Sequence, residues 1–170
     1  EQAFNEVIHF AQISKNGAEY TKEAINETDN NKLNTLKEKL VKYEEISDRI
    51  EFEIATFLNA VSAEEISEST SMKIKAMYKI IGELESLGDS GESISRILSR
   101  KNIHKKEFDA ESIKNLNTMA EAVNDAYDAM ITNLNAAHRG ELVEISNAYN
   151  AEERLNDLRN VFRDAMIEDL

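Results

Sequence analysis

The residues of this sequence that could do chemistry are carboxylates, and their spacing singles them out. Glu44, Asp48 and Glu51 follow a Glu-x3-Asp-x2-Glu pattern, and Glu85, Asp89 and Glu92 repeat it. At about 100° per residue, positions i, i+4 and i+7 of an α-helix fall within roughly 60° of one another. Each triplet therefore forms a stripe. With Glu44 set to zero, Asp48 lies near about +40° and Glu51 near about −20°, while Leu36, Leu40, Tyr43, Ile50 and Ile54 occupy about −40° to −120°. The stripe flanks the apolar seam rather than entering it or opposing it. Around Glu85 the arrangement recurs, with Met77, Ile81 and Leu84 at about −40° to −100°. Like charges at i,i+4 disfavour a helix by about 0.2–0.5 kcal/mol per pair. Two such stripes on packed helices would gather up to six carboxylates along one groove. Mg²⁺, Ca²⁺, Mn²⁺ and iron accept oxygen ligands and would satisfy that arrangement. For a single stripe a solvated acidic face is the better explanation. The repeat at the same angle to the seam sets the metal reading beside it, and both stand.

Other acidic triplets act as controls. Glu121, Asp125 and Asp128 share the spacing, yet Leu116, Met119, Val123, Tyr127 and Met130 lie on the far side of their helix, so a solvated face is expected there. In the last helix Glu153/Asp157 turns away from the seam. Glu152/Asn156 sits beside Leu155, Leu158, Phe162 and Met166 at nearly the angles of the first stripe, with Arg159 in the place of Glu51. That makes Glu152 and Asn156 a degenerate copy, in which a cation weakens the case for a full metal site.

The elements that must carry these residues are helices. There are no prolines, 5 glycines and 31% charged residues of alternating sign, and the apolar spacing is helical almost throughout. The spacing predicts a first helix from about Ala3 to Glu27, with Phe4, Val7, Ile8, Ala11, Ile13 and Ala18 inward. Thr28-Asp29-Asn30-Asn31 breaks it and supplies N-cap side chains. A second helix covers about 31 to 60, burying Leu33, Leu36, Leu40, Tyr43, Ile50, Ile54 and Phe57. Ser62-Ala-Glu-Glu65 fits a capping box. A third helix, about Thr70 to Arg100, packs Ile74, Met77, Ile81 and Leu84. The basic link Arg100-Lys-Asn-Ile-His-Lys-Lys106 follows. Its cations complement a helix C-terminus, the alternative being a phosphate or partner patch. Asp109 caps a fourth helix with Ile113, Leu116, Val123, Tyr127 and Met130. After His138-Arg-Gly140 a fifth runs from about 141 to 170. The expected fold class is all-α: a three-helix bundle over residues 1–100, a basic linker over 101–108, and a helical hairpin over 109–170 from an incomplete second bundle. Gly82, Gly88 and Gly91 fall inside the third helix, where each costs about 1 kcal/mol against alanine. Close approach of a neighbouring backbone or ligand at the stripe would explain them, as would tolerance in a well-packed helix.

Composition narrows function. A formal net charge of −13 repels nucleic acid phosphates and anionic membranes, so no nucleic-acid partner is expected. The absence of cysteine removes thiolate sites and cysteine nucleophiles. No apolar run approaches the roughly 20 residues that span a bilayer, so no direct membrane insertion by this segment is expected. An opening Glu1 in place of methionine is expected of a piece of a longer protein. No nucleophile elbow or phosphate-binding glycine loop is present. A ferritin-like di-iron site needs two Glu-x-x-His motifs. Only Glu6-Val-Ile-His9 fits, His104 and His138 being assigned to linkers, and His9 reads as a bundle-edge residue.

At Lys42-Tyr-Glu-Glu-Ile-Ser-Asp-Arg-Ile-Glu51 and Ile81-Gly-Glu-Leu-Glu-Ser-Leu-Gly-Asp89 the sequence resembles the PhoU family, in particular the PhoU-like cytoplasmic region of bacterial sodium/phosphate (Na/Pi) cotransporters. Glu152-Glu-Arg-Leu-Asn-Asp-Leu-Arg159 is similar to the family's second-repeat motif. Ser86-Leu87 stands where the family signature has Arg-Ile. The resemblance implies tandem three-helix bundles, Glu/Asp-x3-Asp motifs that hold divalent or trivalent metal ions (Mg, Mn, Fe, Ca or Zn), and non-enzymatic control of phosphate transport. It implies a membrane transporter portion or a phosphate-signalling protein as partner, and a location on the cytoplasmic side of the inner membrane. It also implies a sixth helix with another Glu-x3-Asp signature, beyond residue 170. The hairpin seam left exposed could instead pair with a second copy as a homodimer. The expected metal ligands are Glu44, Asp48, Glu51, Glu85, Asp89, Glu92, Glu152 and Asn156; a metal-free scaffold or protein-interaction bundle is the competing expectation.

Overall fold

A computed structural model describes the backbone of residues 1–168 and the side chains of residues 1–164. Five helices follow in order: α1 (Gln2–Asn26), α2 (Asn30–Ser62), α3 (Glu68–Ile103), α4 (Ala110–His138) and α5 (Ser146–Glu168). No strand occurs among the described residues, so the chain is an all-α bundle. None of its described helices is long and apolar enough to cross a membrane.

Local signals explain most boundaries. Asp29 caps α2 by accepting the backbone N–H groups of Asn31 and Lys32, both at 2.9 Å, and Asp109 caps α4 through Ser112 N at 2.6 Å. The expected capping box at Ser62 is a correction. Ser62 ends α2 and donates its hydroxyl to Leu58 O, 2.8 Å away. The serine that caps α3 is Ser67, which accepts from Thr70 N at 3.2 Å. The last helix begins at Ser146 rather than 141, because Gly140, at φ +72°, terminates α4 and turns the chain away. His138 belongs to α4, stacked on Phe4 with centroids 5.6 Å apart, while His104 caps α3.

α1, α2 and α3 pack mutually, α4 lies along α1, and α5 lies along α4. One apolar cluster joins Val7, Phe10 and Ala11 of α1 to Ile54, Leu58, Met77, Ile81 and Leu84, and takes in Tyr127 and Leu134 of α4. Helices before and after the basic link therefore share a core. A second cluster holds Ala24, Ile25, Leu33, Leu36, Leu40 and Leu98 at the other end of the bundle. Phe57, expected inside, is 45% exposed, and Leu58 takes its place at 1%; both satisfy a three- or four-residue step from Ile54. Met166, expected on the α5 seam, lies outside the described side chains.

Between the clusters the helices meet through small residues. Ser14, Thr21 and Ser47 are buried there. A Cβ placed on Gly88 would lie 3.1 Å from Ser47 Oγ and 3.3 Å from its Cβ, so α2 and α3 come close at this level because Gly88 lacks a side chain. Gly91 approaches Thr21 at an ordinary 3.4 Å, and nothing lies within 4 Å of Gly82. Of the three glycines, Gly88 is the one whose close approach explains it.

Candidate metal centre

The Gly88–Ser47 crossing is flanked in sequence by the carboxylate stripes. Ser47 precedes Asp48, Gly88 precedes Asp89, and the two helices run antiparallel. Glu44 therefore lies in the field of Asp89 and Glu92, and Glu85 in the field of Asp48 and Glu51. Of the six carboxylates predicted to share a groove, three meet in one cluster. Glu44, Asp48 and Asp89 come closest, each offering an oxygen within 4.8 Å of the others. Glu44 is half-buried, whereas Asp48 and Asp89 are exposed.

The electrostatics follow from that crowding. Burial pushes the Glu44 carboxyl above its ordinary range, and the charges of Asp48, Glu92 and Asp89 push it further the same way. Glu85 is raised by burial, then by Asp89 and Glu51, while a hydrogen bond from Ser86 at 3.3 Å works in the opposite direction. Among the described residues one cation forms an ion pair with the six carboxylates. Arg96, one turn beyond Glu92, holds it through a bidentate pair with Nε at 2.9 Å. Sequence reasoning missed Arg96, although the Glu92-x3-Arg96 spacing was there to show it. The groove remains strongly anionic after that pairing.

The degenerate copy is elsewhere. Glu152 is exposed and Asn156 half-buried on α5, which contacts α4 and neither α2 nor α3. These two residues are not brought to the groove. The control triplet on α4 is exposed, and each member carries its own cation: Lys22 lies 3.4 Å from Glu121, Lys15 lies 2.5 Å from Asp128, and Arg154 of α5 pairs with Asp125. Its acids bridge helices rather than facing water alone. His9 is exposed, with its nearest carboxylate, Glu6, at 3.9 Å.

All donors at the closest triad are carboxylate oxygens, the chemistry of hard cations such as Mg²⁺, Ca²⁺ and Mn²⁺. Glu44, Asp48 and Asp89 therefore present three oxygen donors of the type that could hold such an ion. Fold and site together define an all-α bundle with an inter-helical carboxylate groove. No protein family, curated protein or solved structure matches the chain.

Proposed function

We propose that the chain is a non-enzymatic regulatory module that binds a divalent or trivalent cation in the α2/α3 groove and acts in sodium-coupled phosphate transport. The observation that carries the metal half is the convergence of Glu44, Asp48 and Asp89 from two helices onto oxygens within 4.8 Å of one another. The transport half is supported by the PhoU-like motifs around the same residues, and by nothing else. In this reading the module works from the cytoplasmic side of the inner membrane, on the membrane portion of a transporter or on a phosphate-signalling protein. The ion clamps α2 to α3, and the clamped bundle is the form the partner reads.

A metal-free interaction bundle is favoured by one specific observation: Arg96 already neutralises Glu92. Titrating the purified chain with Mg²⁺, Mn²⁺ and Ca²⁺, alongside elemental analysis, separates the two. At a free ion concentration of about 100 times Kd, stability rises by about 2.7 kcal/mol, a Tm shift of about 5–10 °C for a chain of this size. Asp48→Asn combined with Asp89→Asn removes the shift. No bound metal and no ion-dependent shift in the unsubstituted chain would refute the metal half. Phosphate uptake that is identical in cells with and without this chain would refute the transport half.

A further inference from the structure

The basic link forms a feature that the carboxylate groove does not use. α3 and α4 end in the same backbone motif. After α4, Gly140 N–H bonds Ala137 O and Glu141 N–H bonds Ala136 O; after α3, Lys105 N–H bonds Asn102 O and Lys106 N–H bonds Lys101 O. Both are Schellman caps, whose left-handed residue is ordinarily glycine or asparagine. Gly140 meets that requirement at φ +72°, whereas Lys105 occupies the position at φ +50°. It is the one described non-glycine residue with positive φ. This cap also brings the residue three before the helix end against the second residue past it, a pair that is commonly apolar. Here the pair is Lys101 and Lys106. A lysine thus stands at three positions where the motif itself calls for glycine or apolar groups.

All three lysines line one cleft of about 430 Å³ between the α1–α2 turn and the α3–α4 link. Ile25, Phe108 and Ile113 give it apolar walls, and Asn26, Asn30 and Asn102 line it as well. Phe108 lies under Lys101, whose Nζ is 5.0 Å from the ring centroid, and Asn102 donates to Asn30 Oδ1 at 2.8 Å. Two carboxylates share the cleft. Glu27 is turned onto the start of α2, where its Oε1 accepts from Thr28 and Asp29 N–H, and Glu107 is exposed. Neither pairs with a lysine: among the described residues, Lys101, Lys105 and Lys106 make no ion pair. In a chain of net charge −13, three lysines without an ion pair line one cleft, and one of them holds a left-handed backbone conformation there.

The geometry points to an organic phosphate site: the phosphate group sits among Lys101, Lys105 and Lys106, and an apolar or aromatic portion lies on Ile25, Phe108 and Ile113. Lysine binds phosphate as a point charge, needing no bidentate geometry. The volume exceeds what a bare phosphate fills, and the apolar walls would be idle beneath one. The phosphate group could belong to a soluble molecule or to a lipid headgroup, and the test separates these sources.

Phenyl phosphate and inorganic phosphate are titrated into the whole chain at low salt and followed by amide chemical shifts; vesicles of phosphatidylglycerol in phosphatidylcholine form a second arm. Phenyl phosphate is expected to bind more tightly than inorganic phosphate, with shifts confined to residues 25–30 and 101–113. Lys105→Gly is the informative variant, because it relaxes the backbone while removing a charge. It should melt about 2–4 °C higher yet bind phenyl phosphate about threefold to fivefold more weakly. Lys101→Gln with Lys106→Gln should abolish binding. Binding to the vesicles alone, lost in the same double variant, assigns the phosphate group to a lipid. Lysines that only complement the α3 dipole predict no ligand dependence. The proposal is overturned if neither phosphate nor vesicles bind saturably by ~10 mM, or if Lys75→Gln, far along α3, weakens binding as much as Lys105→Gly.

Discussion

Replacing Gly88 and Gly82 separately by alanine would test whether close helix contact builds the carboxylate groove. Both lie in α3, 6 residues apart, and each substitution should gain the same intrinsic helix propensity, about 0.8–1 kcal/mol. At Gly82 nothing lies within 4 Å of the new Cβ, so the gain should appear undiminished. A chain of this size then melts about 2–4 °C higher. At Gly88 the Cβ meets Ser47 Oγ at 3.1 Å and Ser47 Cβ at 3.3 Å, and Ser47 is only 2% exposed, with little room to withdraw. Overpacking of this kind costs about 1–3 kcal/mol. The net effect at Gly88 therefore runs from about neutral to about 2 kcal/mol destabilising, at least about 1 kcal/mol worse than at Gly82. Thermal and urea unfolding of the two single variants measure the gap. Ser47→Ala in the Gly88→Ala background removes the shorter contact and should recover part of it, which a double-mutant cycle reports as coupling. If Gly88→Ala stabilises the chain as much as Gly82→Ala does, α2 and α3 are not held close by this contact, and the account of how Asp48 reaches Asp89 fails.

Removing like charge should stabilise the ion-free protein: Asp89→Asn ought to raise the urea midpoint without added metal while lowering cation affinity, and a drop in the midpoint would contradict the crowding seen in the groove. Because Glu44 and Glu85 are raised in the folded state, that state holds more protons than the unfolded chain between their ordinary and raised values. Their contribution to stability therefore falls as pH rises through that window. The doubly substituted Glu44→Gln/Glu85→Gln chain should lose this dependence, measured as the difference from the unsubstituted chain, since Asp109 and Glu141 are lowered and act in the opposite direction. Tyr127→Phe breaks the 2.7 Å hydrogen bond to the buried Ser14 hydroxyl and should cost about 1–3 kcal/mol. Because Tyr127 and α1 share one core, the loss should appear in a single unfolding transition by circular dichroism; two transitions would show that α4 and α5 fold apart from the rest.

Helical periodicity reveals the helices and the angle of each carboxylate to its seam because both depend on residues within a turn or two. Asp29 and Asp109 were readable as caps for the same reason. The choice between Ser62 and Ser67 was not, since both are serines before helix-compatible stretches and only the observed hydrogen bonds show which one accepts. Phe57 and Leu58 are separated by one residue, a difference smaller than the three- or four-residue step used to place them. Phe10, fully buried, falls next to the predicted Ala11, again a difference of one residue. What spacing could not supply was the partner of each helix. Periodicity shows that α4 has an apolar face, yet only the packing shows that this face meets α1 and brings Lys15 and Lys22 to its acids.

That last difference bears on the groove itself. α4 and the α2/α3 pair present carboxylates at the same spacing, so the intrahelical repulsion is the same for both. On α4 each acid of the Glu121/Asp125/Asp128 triplet is matched by a lysine or arginine from a neighbouring helix, and neutralisation of that triplet is built into the fold. Across α2 and α3 the bundle does the opposite: it brings the two stripes into one another's field and gives Arg96 to one member. A fold able to neutralise acids by inter-helical pairing, as α1 and α5 do for α4, leaves five of the six groove carboxylates without an ion pair among the described residues. The same small contact that brings Asp48 to Asp89 increases their repulsion. In the proposed metal-bound form a cation between them would reverse the sign of that interaction, turning a repulsive contact of the helix pair into its clamp.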